Sequence, residues 1–557
     1  MLRLFPQYKK RDSRLLDGVW KFAADPQGLG EKEKWFQNFP ENALDMVVPS
    51  CWNNTLGWFR YEGAAWYQTE FETSKDNLKL TFHAVTGAAE VYLDGEKLGA
   101  HYGGFTPFDF HLQNIRPGRH ALVVRVDNTH NSADTIPLSH VDWYHYGGII
   151  RSVELCQFEG AYIDRMKIDY ELDGDLSGAV VTATLWLKNV TREQTLCLSV
   201  EGKELASEKI LPGQETASIS GFVKDLRLWD VGQGNLYTVT AAMEEDDLSD
   251  RVGFRELRVE KGRLLLNQKP VFLKGVNRHE EHPEWGFALP FSLMRRDLDI
   301  IKKLGCNAIR GSHYPNAPIF LDLLDQEGIL FWEEIPMWGF PQSAIANPLV
   351  LERGRAMHQE MVQRDYNRPC VILWGLHNEI DTGCEESVAL SEAFYHTLRE
   401  YDKKRPVTYA TDHPFVDRCY RFADIVSVNK YIGWYEDTVE DWGRFLEKFH
   451  CHLEAQGAGD KPLIISEFGA GAVGGCRSFE APRWSENYQK EYLDKSLRTF
   501  FADEKVIGTY IWQFCDIRTA EDMEIYRPRS FNNKGLVDEY RRPKESFWKV
   551  QELYTEK

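Results

Sequence analysis

Two β-sandwiches followed by a C-terminal TIM (β/α)8 barrel, a multidomain β plus α/β architecture, is the fold class that the sequence predicts. Three observations carry it. The stretch before Val259 consists of short runs alternating apolar with polar, broken by Gly, Asp and Pro turns, which is the grammar of antiparallel sheets. From Val259 onward, strand-like runs alternate with helix-like ones. Eight strand candidates fall there, at 271–276, 308–310, 329–332, 371–374, 407–409, 425–428, 463–465 and 506–511, which is the strand count of a barrel.

Taken in order, residues 1–158 carry Leu78-Lys-Leu-Thr-Phe82, Ala89-Glu-Val-Tyr-Leu93 and His120-Ala-Leu-Val-Val-Arg-Val126, with turns at Asp94-Gly95 and Pro117-Gly118. Short strands at even spacing predict a jelly-roll-like sandwich. Near its end, Val141-Asp-Trp-Tyr-His-Tyr-Gly-Gly-Ile-Ile-Arg151 reads either as a packed corner or as a loop reaching into a site. Residues 159–258 repeat the pattern on a smaller scale in Val180-Val-Thr-Ala-Thr-Leu-Trp-Leu187 and Leu236-Tyr-Thr-Val-Thr240. They predict an immunoglobulin-like sandwich that carries no chemistry, a spacer or assembly domain. Residues 259–557 form the predicted barrel. Its helix over 291–304 places Leu293, Met294, Leu298, Ile301 and Leu304 near one face, and further helices are expected over 352–362 and 485–501.

Composition narrows the function. A chain of 557 residues is too long for one core, so several domains are expected. The net charge of −19 argues against nucleic acid, whose binders need a basic face. No run of about 18 apolar residues exists, so no membrane span is expected. The start, Met1-Leu-Arg-Leu-Phe-Pro-Gln-Tyr-Lys-Lys10, lacks a long apolar core, and the ten cysteines are scattered without a CxxC pair. Both features fit a cytoplasmic protein with reduced thiols. The 17 Trp, 24 Tyr and 31 Phe suit a large core and also suit stacking on sugar rings.

The strand ends hold the chemistry. Val371-Ile-Leu-Trp-Gly-Leu-His-Asn-Glu379 is an apolar strand that ends on a carboxylate, and Lys461-Pro-Leu-Ile-Ile-Ser-Glu467 ends on a second at the same level. A carboxylate there is costly to bury unless it is paired or used. In a barrel that end is where catalysis sits. The other ends are polar too: Asn277-Arg-His-Glu-Glu281, Ser312-His-Tyr-Pro315, Glu333-Glu334, Asn429-Lys-Tyr431 and Trp512-Gln-Phe-Cys-Asp516. Two carboxyls facing each other across a barrel mouth are the equipment of glycoside hydrolysis. One protonates the leaving oxygen while the other attacks the anomeric carbon or activates water. A gap of about 5–5.5 Å gives retention and one of about 6.5–9.5 Å gives inversion. Sequence leaves that gap open. The plainer reading pairs each Glu with a neighbouring Arg or Lys, and makes Tyr431 and Trp512 core aromatics. His279-Glu-Glu-His282 lacks HExxH spacing and follows a strand, so no metal is expected there. Neither G-x-S-x-G nor a Walker A motif is present, and no cofactor is expected.

The series Phe272-Leu-Lys-Gly-Val-Asn-Arg-His279, Ile309-Arg-Gly-Ser-His-Tyr-Pro315, Arg364-Asp-Tyr-Asn-Arg-Pro369, Trp374-Gly-Leu-His-Asn-Glu379 and Ser466-Glu-Phe-Gly469 resembles glycoside hydrolase family 2 across nearly the whole chain. The resemblance implies a sugar-binding-like first domain and a retaining hydrolase with Glu379 as acid/base and Glu467 as nucleophile. It also implies that Asn378 holds the sugar 2-hydroxyl. Phe531-Asn-Asn-Lys-Gly535 is similar to the Asn-x-Lys motif of the family's β-glucuronidases, which would put Asn532 and Lys534 on the C6 carboxylate. The same likeness implies sugar-pocket roles for Asp142, His313, Asn429, Tyr431, Tyr435 and Trp512. The physics agrees, because a protein of this negative charge needs a local cation to hold an anionic sugar. The plainer reading of Lys534 is a solvated loop lysine among Arg527, Arg529, Arg541 and Arg542.

There are departures. Few residues lie between Pro336-Met-Trp-Gly-Phe340 and the helix before Asn367, so a long loop over the mouth is not expected. An open mouth favours larger aglycones or oligosaccharide ends. The basic residues before Asn532 do not align cleanly with the family pattern, which leaves room for a galacturonide. The expected function is therefore exo-acting hydrolysis of terminal β-D-glucuronides through a covalent glycosyl-enzyme. The alternatives are a β-galacturonidase, a β-galactosidase-like enzyme, or a silent carbohydrate-binding protein. The expected partner is a small-molecule or oligosaccharide glucuronide, and the resemblance implies a homo-oligomer, dimer or tetramer.

Overall fold

The structure is a computed structural model that describes residues 2–557, so Met1 of the first expected domain lies outside the described residues. The predicted fold class is what it contains: two antiparallel sandwiches and a closed eight-stranded parallel barrel.

In the first sandwich, one sheet runs in the order Asp12–Leu15, Val153–Phe158, Asn77–Phe82, Phe108–Leu112. It faces a six-stranded sheet that contains the long strands Ala64–Thr73 and Gly118–Asp127. The first and last strands of the domain pair antiparallel, Asp12 opposite Gln157, so the domain closes on itself. Alternation decides which side chains go inside. Leu78, Leu80 and Phe82 enter the core while Lys79 and Thr81 between them do not. In the second sandwich a sheet of Tyr162–Leu172, Gly178–Lys188 and Thr216–Lys224 packs on one of four strands, around a core of its own that includes Val181, Leu185, Leu198 and Val239.

The barrel strands, numbered here by themselves, are β1 (Leu273–Asn277), β2 (Ala308–Gly311), β3 (Leu330–Glu334), β4 (Val371–Asn378), β5 (Val407–Thr411), β6 (Val426–Asn429), β7 (Leu463–Phe468) and β8 (Val506–Ile511). Each pairs in parallel with the next, and β8 closes on β1. All eight residues of β4 are buried, as a strand covered on both faces requires. The helix Phe291–Lys303 buries Met294, Leu298 and Ile301 against this barrel, and Leu304 follows just past its end. The helices expected near 352–362 and 485–501 are Pro348–Asp365 and Glu486–Ala502. A small antiparallel sheet of Leu257–Glu260, Arg263–Leu266 and Lys269–Pro270, which the sequence reading does not contain, precedes β1. None of the described helices is long and apolar enough to cross a membrane.

The domains are tied by polar side chains driven into their neighbours. Arg151 of the first sandwich donates to the carbonyls of Phe105 at 2.6 Å and Pro315 at 2.8 Å, so it grips the connection after β2. Asn367 of the barrel accepts from Ile168 N at 2.8 Å and donates to Met166 O at 3.0 Å in the second sandwich. Inside the barrel, Asp297 accepts from Arg278 at 2.9 Å and from Arg541 at 2.9 Å, with all three side chains buried. Asp297→Ala would strand two buried guanidiniums. The expected result is a loss of about 3–5 kcal/mol, read as a lower denaturant midpoint of the barrel in tryptophan fluorescence. An unchanged midpoint would show that Asn316, which also accepts from Arg278 at 2.9 Å, suffices.

Candidate active site

The C-terminal ends of the barrel strands converge on Arg310, a fully buried guanidinium on β2. Its Nη1 donates to Glu467 Oε1 at 2.8 Å and to Asn277 Oδ1 at 3.1 Å. Its Nη2 donates to Glu334 Oε1 at 2.8 Å and to Asn378 Oδ1 at 2.7 Å. A buried arginine cannot shed its proton, so it must be surrounded by acceptors, and this one holds residues from four strands in one layer. The adjacent carboxylates Glu333 and Glu334 divide by the strand's period of two. Glu334 turns to Arg310 inside, while Glu333 pairs with Arg364 at 2.9 Å.

Glu467 is held on both oxygens, with Tyr431 Oη donating to Oε2 at 2.7 Å. Gly469, two residues on, has no room for a side chain, because a Cβ there would lie 2.1 Å from the carbonyl oxygen of Trp512. Glu379 follows the last residue of β4 in a left-handed conformation, φ 51°, which non-glycine residues rarely adopt. Its backbone N–H is fixed to Ala410 O at 2.9 Å, and its Oε1 accepts from Asn429 Nδ2 at 2.7 Å. Asn429 also donates to Asn378 Oδ1 at 3.0 Å and accepts from Ser466 Oγ at 2.7 Å. Because Arg310 and Asn429 both donate to Asn378 Oδ1, the Asn378 amide is oriented, and its Nδ2 has no partner among the described residues.

His313 donates from Nδ1 to Glu334 Oε1 at 2.7 Å and stacks on Trp512, ring centroids 5.2 Å apart. Burial and the nearby Arg310 keep its imidazole neutral, far below the ordinary histidine range. Trp143 from the first sandwich packs against His313 and His279 and completes an aromatic wall.

One fixed positive charge therefore faces three carboxyls. Burial raises Glu379 well above the ordinary carboxylate range; the charges of Glu467 and Asp412 add to this, while the Asn429 bond and Arg310 oppose it. Burial raises Glu467 as well, but Arg310 and the Tyr431 bond pull it back. Both carboxyls are therefore raised, Glu379 the further of the two, so of the pair Glu379 is the one that holds a proton more readily. Removing the Glu467 charge in Glu467→Gln should move the Glu379 titration to lower pH, as followed by ¹³C NMR of labelled glutamate. A titration that stays in place would mean that burial alone sets it.

The other half of the site lies beyond Tyr431. Asp142, on the loop between the strands of the first sandwich, enters the barrel mouth. It accepts from Asn532 Nδ2 at 2.8 Å and from Arg527 Nε at 3.2 Å, with a second Arg527 contact through Nη2. Lys534 is 2% exposed and is no solvated loop lysine. Its Nζ donates to Tyr435 Oη at 2.8 Å and lies 5.4 Å from the Tyr431 ring. Among the described residues, no carboxylate lies within 4 Å of it, whereas Arg529 pairs with Glu539, Arg541 with Asp297 and Arg542 with Asp538.

All eleven residues singled out in the sequence thus line one mouth. Sequence reasoning had Glu334 and His279 only as polar strand ends and Arg527 only as part of a basic neighbourhood, and it gave no site role to Arg310 or Trp143. A charged residue inside the otherwise apolar run 308–310 was the available signal for Arg310. Arg527 had none, since its partner Asp142 is 385 residues away.

The chain matches sequence models of three domains. These are "Glycosyl hydrolases family 2, sugar binding domain" over residues 13–158, "Glycosyl hydrolases family 2" over 161–255 and "Glycosyl hydrolases family 2, TIM barrel domain" over 257–557. It is 28% identical to a beta-glucuronidase of Paenibacillus borealis, covering 97% of this chain and 96% of that one. It is 27% identical to the beta-glucuronidase of Homo sapiens, covering 99% and 92%. Among solved structures it is similar to a GH2 beta-galacturonidase from Eisenbergiella tayi bound to galacturonate, with 36% identity, TM-score 0.92 and coverage of 100% and 99%. It is also similar to Ruminococcus gnavus beta-glucuronidase, with 28% identity, TM-score 0.90 and coverage of 100% and 99%.

Proposed function

This chain belongs to glycosyl hydrolases family 2 and is a glycosidase, and from that premise we propose that it is a retaining, exo-acting β-glucuronidase. The observation that carries the substrate is Lys534, a buried ammonium with no acid partner among the described residues, one ring away from Glu467. An unpaired buried cation is costly, and a C6 carboxylate would neutralise it. Tyr435 and Asn532 flank that position, and Asp142, pinned by Arg527 and Asn532, presents its remaining acceptor capacity to the ring hydroxyls.

Glu467, ionised and oriented by Arg310 and Tyr431, attacks the anomeric carbon as the glycosidic C–O bond breaks. Glu379 gives its proton to the departing oxygen. The resulting glycosyl ester of Glu467 is hydrolysed when Glu379, now the base, takes a proton from water and the water oxygen forms the new bond to the anomeric carbon. Asn378 Nδ2 faces the 2-hydroxyl, where a strengthening hydrogen bond lowers the barrier. Trp512 and His313 form the wall behind the ring.

The reading is tested by turning over p-nitrophenyl β-glucuronide, β-galacturonide and β-galactoside side by side, with ¹H NMR of the first-formed anomer. Fastest turnover of the glucuronide to the β-anomer of the free acid is expected. An α-product would overturn retention, and a preferred galactoside would overturn the substrate. A second reading, β-galacturonidase, is favoured by the higher identity to the solved beta-galacturonidase, 36% against 28% for the Ruminococcus gnavus enzyme. Faster turnover of the galacturonide would decide for it.

A further inference from the structure

Beside the clamp lies a separate cleft of about 320 Å³ between the loops after β6, β7 and β8. Its walls are Trp434, Tyr435, Trp484, Tyr526 and Met523, with Arg483 at its edge. We propose that this cleft is the aglycone subsite and that it takes an acidic saccharide residue, with Arg483 as the cation that reads its charge. The inference rests on the uronide reading above and extends it to the leaving group.

Position comes first. The cleft shares Tyr435 and Arg527 with the clamp, and Tyr435 lies 5.3 Å from the Tyr431 ring, whose hydroxyl holds Glu467. A group seated there lies next to the clamp, with the Tyr431 and Tyr435 rings between it and Glu467. For an exo-acting enzyme the covalent neighbour of the cleaved sugar is its aglycone. The volume sits at the low end of the ~300–1,000 Å³ of small-ligand pockets, which suits one sugar ring and not a long chain.

Chemistry comes second. Tyr435 is 59% exposed and Tyr526 71% exposed, so two aromatic side chains are offered to solvent at one rim. Trp484 stands at right angles to Trp434, centroids 5.0 Å apart, and gives the cleft a rigid corner. Trp484 takes a left-handed backbone, φ 74°, a conformation a bulky residue adopts only when its surroundings dictate it. Here they do, because Val473 N–H donates to Trp484 O at 2.9 Å. That bracket sets the backbone next to Arg483, whose exposed side chain makes one long contact of 3.5 Å to Gly433 O. No acid lies within 4 Å of Arg483 among the described residues, although nearby cations are paired, Arg477 with Glu486, Lys430 with Glu436 and Lys495 with Glu440. The acids on the facing segment are taken too, Glu524 by Arg60 and Asp522 by His140. In a chain of net charge −19, an unpaired arginine on an aromatic cleft selects an anion. The short Ile335–Phe340 connection after β3 leaves the mouth open enough for a saccharide to reach it.

The test compares two disaccharides with the same β-linked glucuronic acid, one with a neutral hexose at the reducing end and one with a hexuronic acid. The ratio of kcat/KM, acidic over neutral, should exceed one in the native enzyme. It should fall about tenfold in Arg483→Gln and recover in Arg483→Lys, as for one charge-assisted contact. A ratio unmoved by Arg483→Gln, or a native preference for the neutral disaccharide, overturns the proposal. If the enzyme turns over galacturonides or galactosides in place of glucuronides, the same two aglycones are placed on that sugar. The uronide or epimer reading then falls while the ratio still decides on Arg483. A chain that cleaves none of these sugars overturns both.

Discussion

Glu467→Gln is expected to lower kcat on p-nitrophenyl β-glucuronide by at least about 10⁴-fold, the scale seen when a covalent nucleophile is removed. The substitution is close to isosteric, and the fold should survive it. Arg310 keeps Glu334 at 2.8 Å, so its charge remains compensated, and the amide can accept from Arg310 through its oxygen while its NH2 donates to Tyr431 Oη. What is lost is the ability to form a glycosyl ester. The companion Glu379→Ala should behave differently. A p-nitrophenolate leaves without protonation, so ester formation is spared and its hydrolysis becomes slow. Azide, which needs no base, should restore turnover and yield the β-glycosyl azide. In Glu467→Ala the same anion would enter from the empty nucleophile side and yield the α-azide. Opposite anomers from the two variants would exchange the two roles. A loss of less than tenfold in Glu467→Gln would remove Glu467 from the chemistry and bring back the silent binding protein.

The two carboxylates could be read from the chain because local pattern encodes them. An apolar run buried on both faces and ending in an acid is legible within nine residues at Glu379 and within seven at Glu467. The barrel was legible for the same reason eight times over. What holds the carboxylates is not local. Arg310 reaches Glu467 across 157 positions and Asp142 reaches Asn532 across 390, so no periodicity in the sequence marks either pair. Asp142 entered the expected site through family resemblance alone, and the loop 141–151 proves both a packed corner and an intruder in the barrel mouth. The small sheet over 257–270 went unread because its strands are two to four residues long and run straight into β1. Lys534 shows the opposite limit. Its neighbourhood is basic in sequence, yet each arginine around it has an acid of its own in space, which leaves the lysine as the unpaired charge.

That unpaired charge makes Lys534→Ala the most informative substitution for specificity. On the glucuronide kcat/KM should fall about 10³-fold, equivalent to about 4 kcal/mol. The loss has two sources. The substrate carboxylate would enter a site walled by Tyr431, Trp434 and Tyr435 without its cation, and the remaining donors, Asn532 and Tyr435, carry no full charge. On the galactoside, which offers a hydroxymethyl group at the same position, the variant should be no worse than the native enzyme. A buried lysine facing a neutral group gains nothing, and removing it removes a desolvation cost. Burial lowers the Lys534 pKa, partly offset by Tyr435, so the native clamp should weaken as pH rises toward that value. The sign follows from the charge. The ammonium is present below its pKa and lost above it, and a bound carboxylate raises the pKa and delays the loss. Any alkaline decline owed to the clamp should therefore appear in kcat/KM, which reports the free enzyme, more than in kcat. In Lys534→Ala that component should vanish and leave the decline set by Glu379. Equal losses on glucuronide and galactoside would instead make Lys534 a prop for the loop after β8, and the reading of an acidic sugar would fall with it.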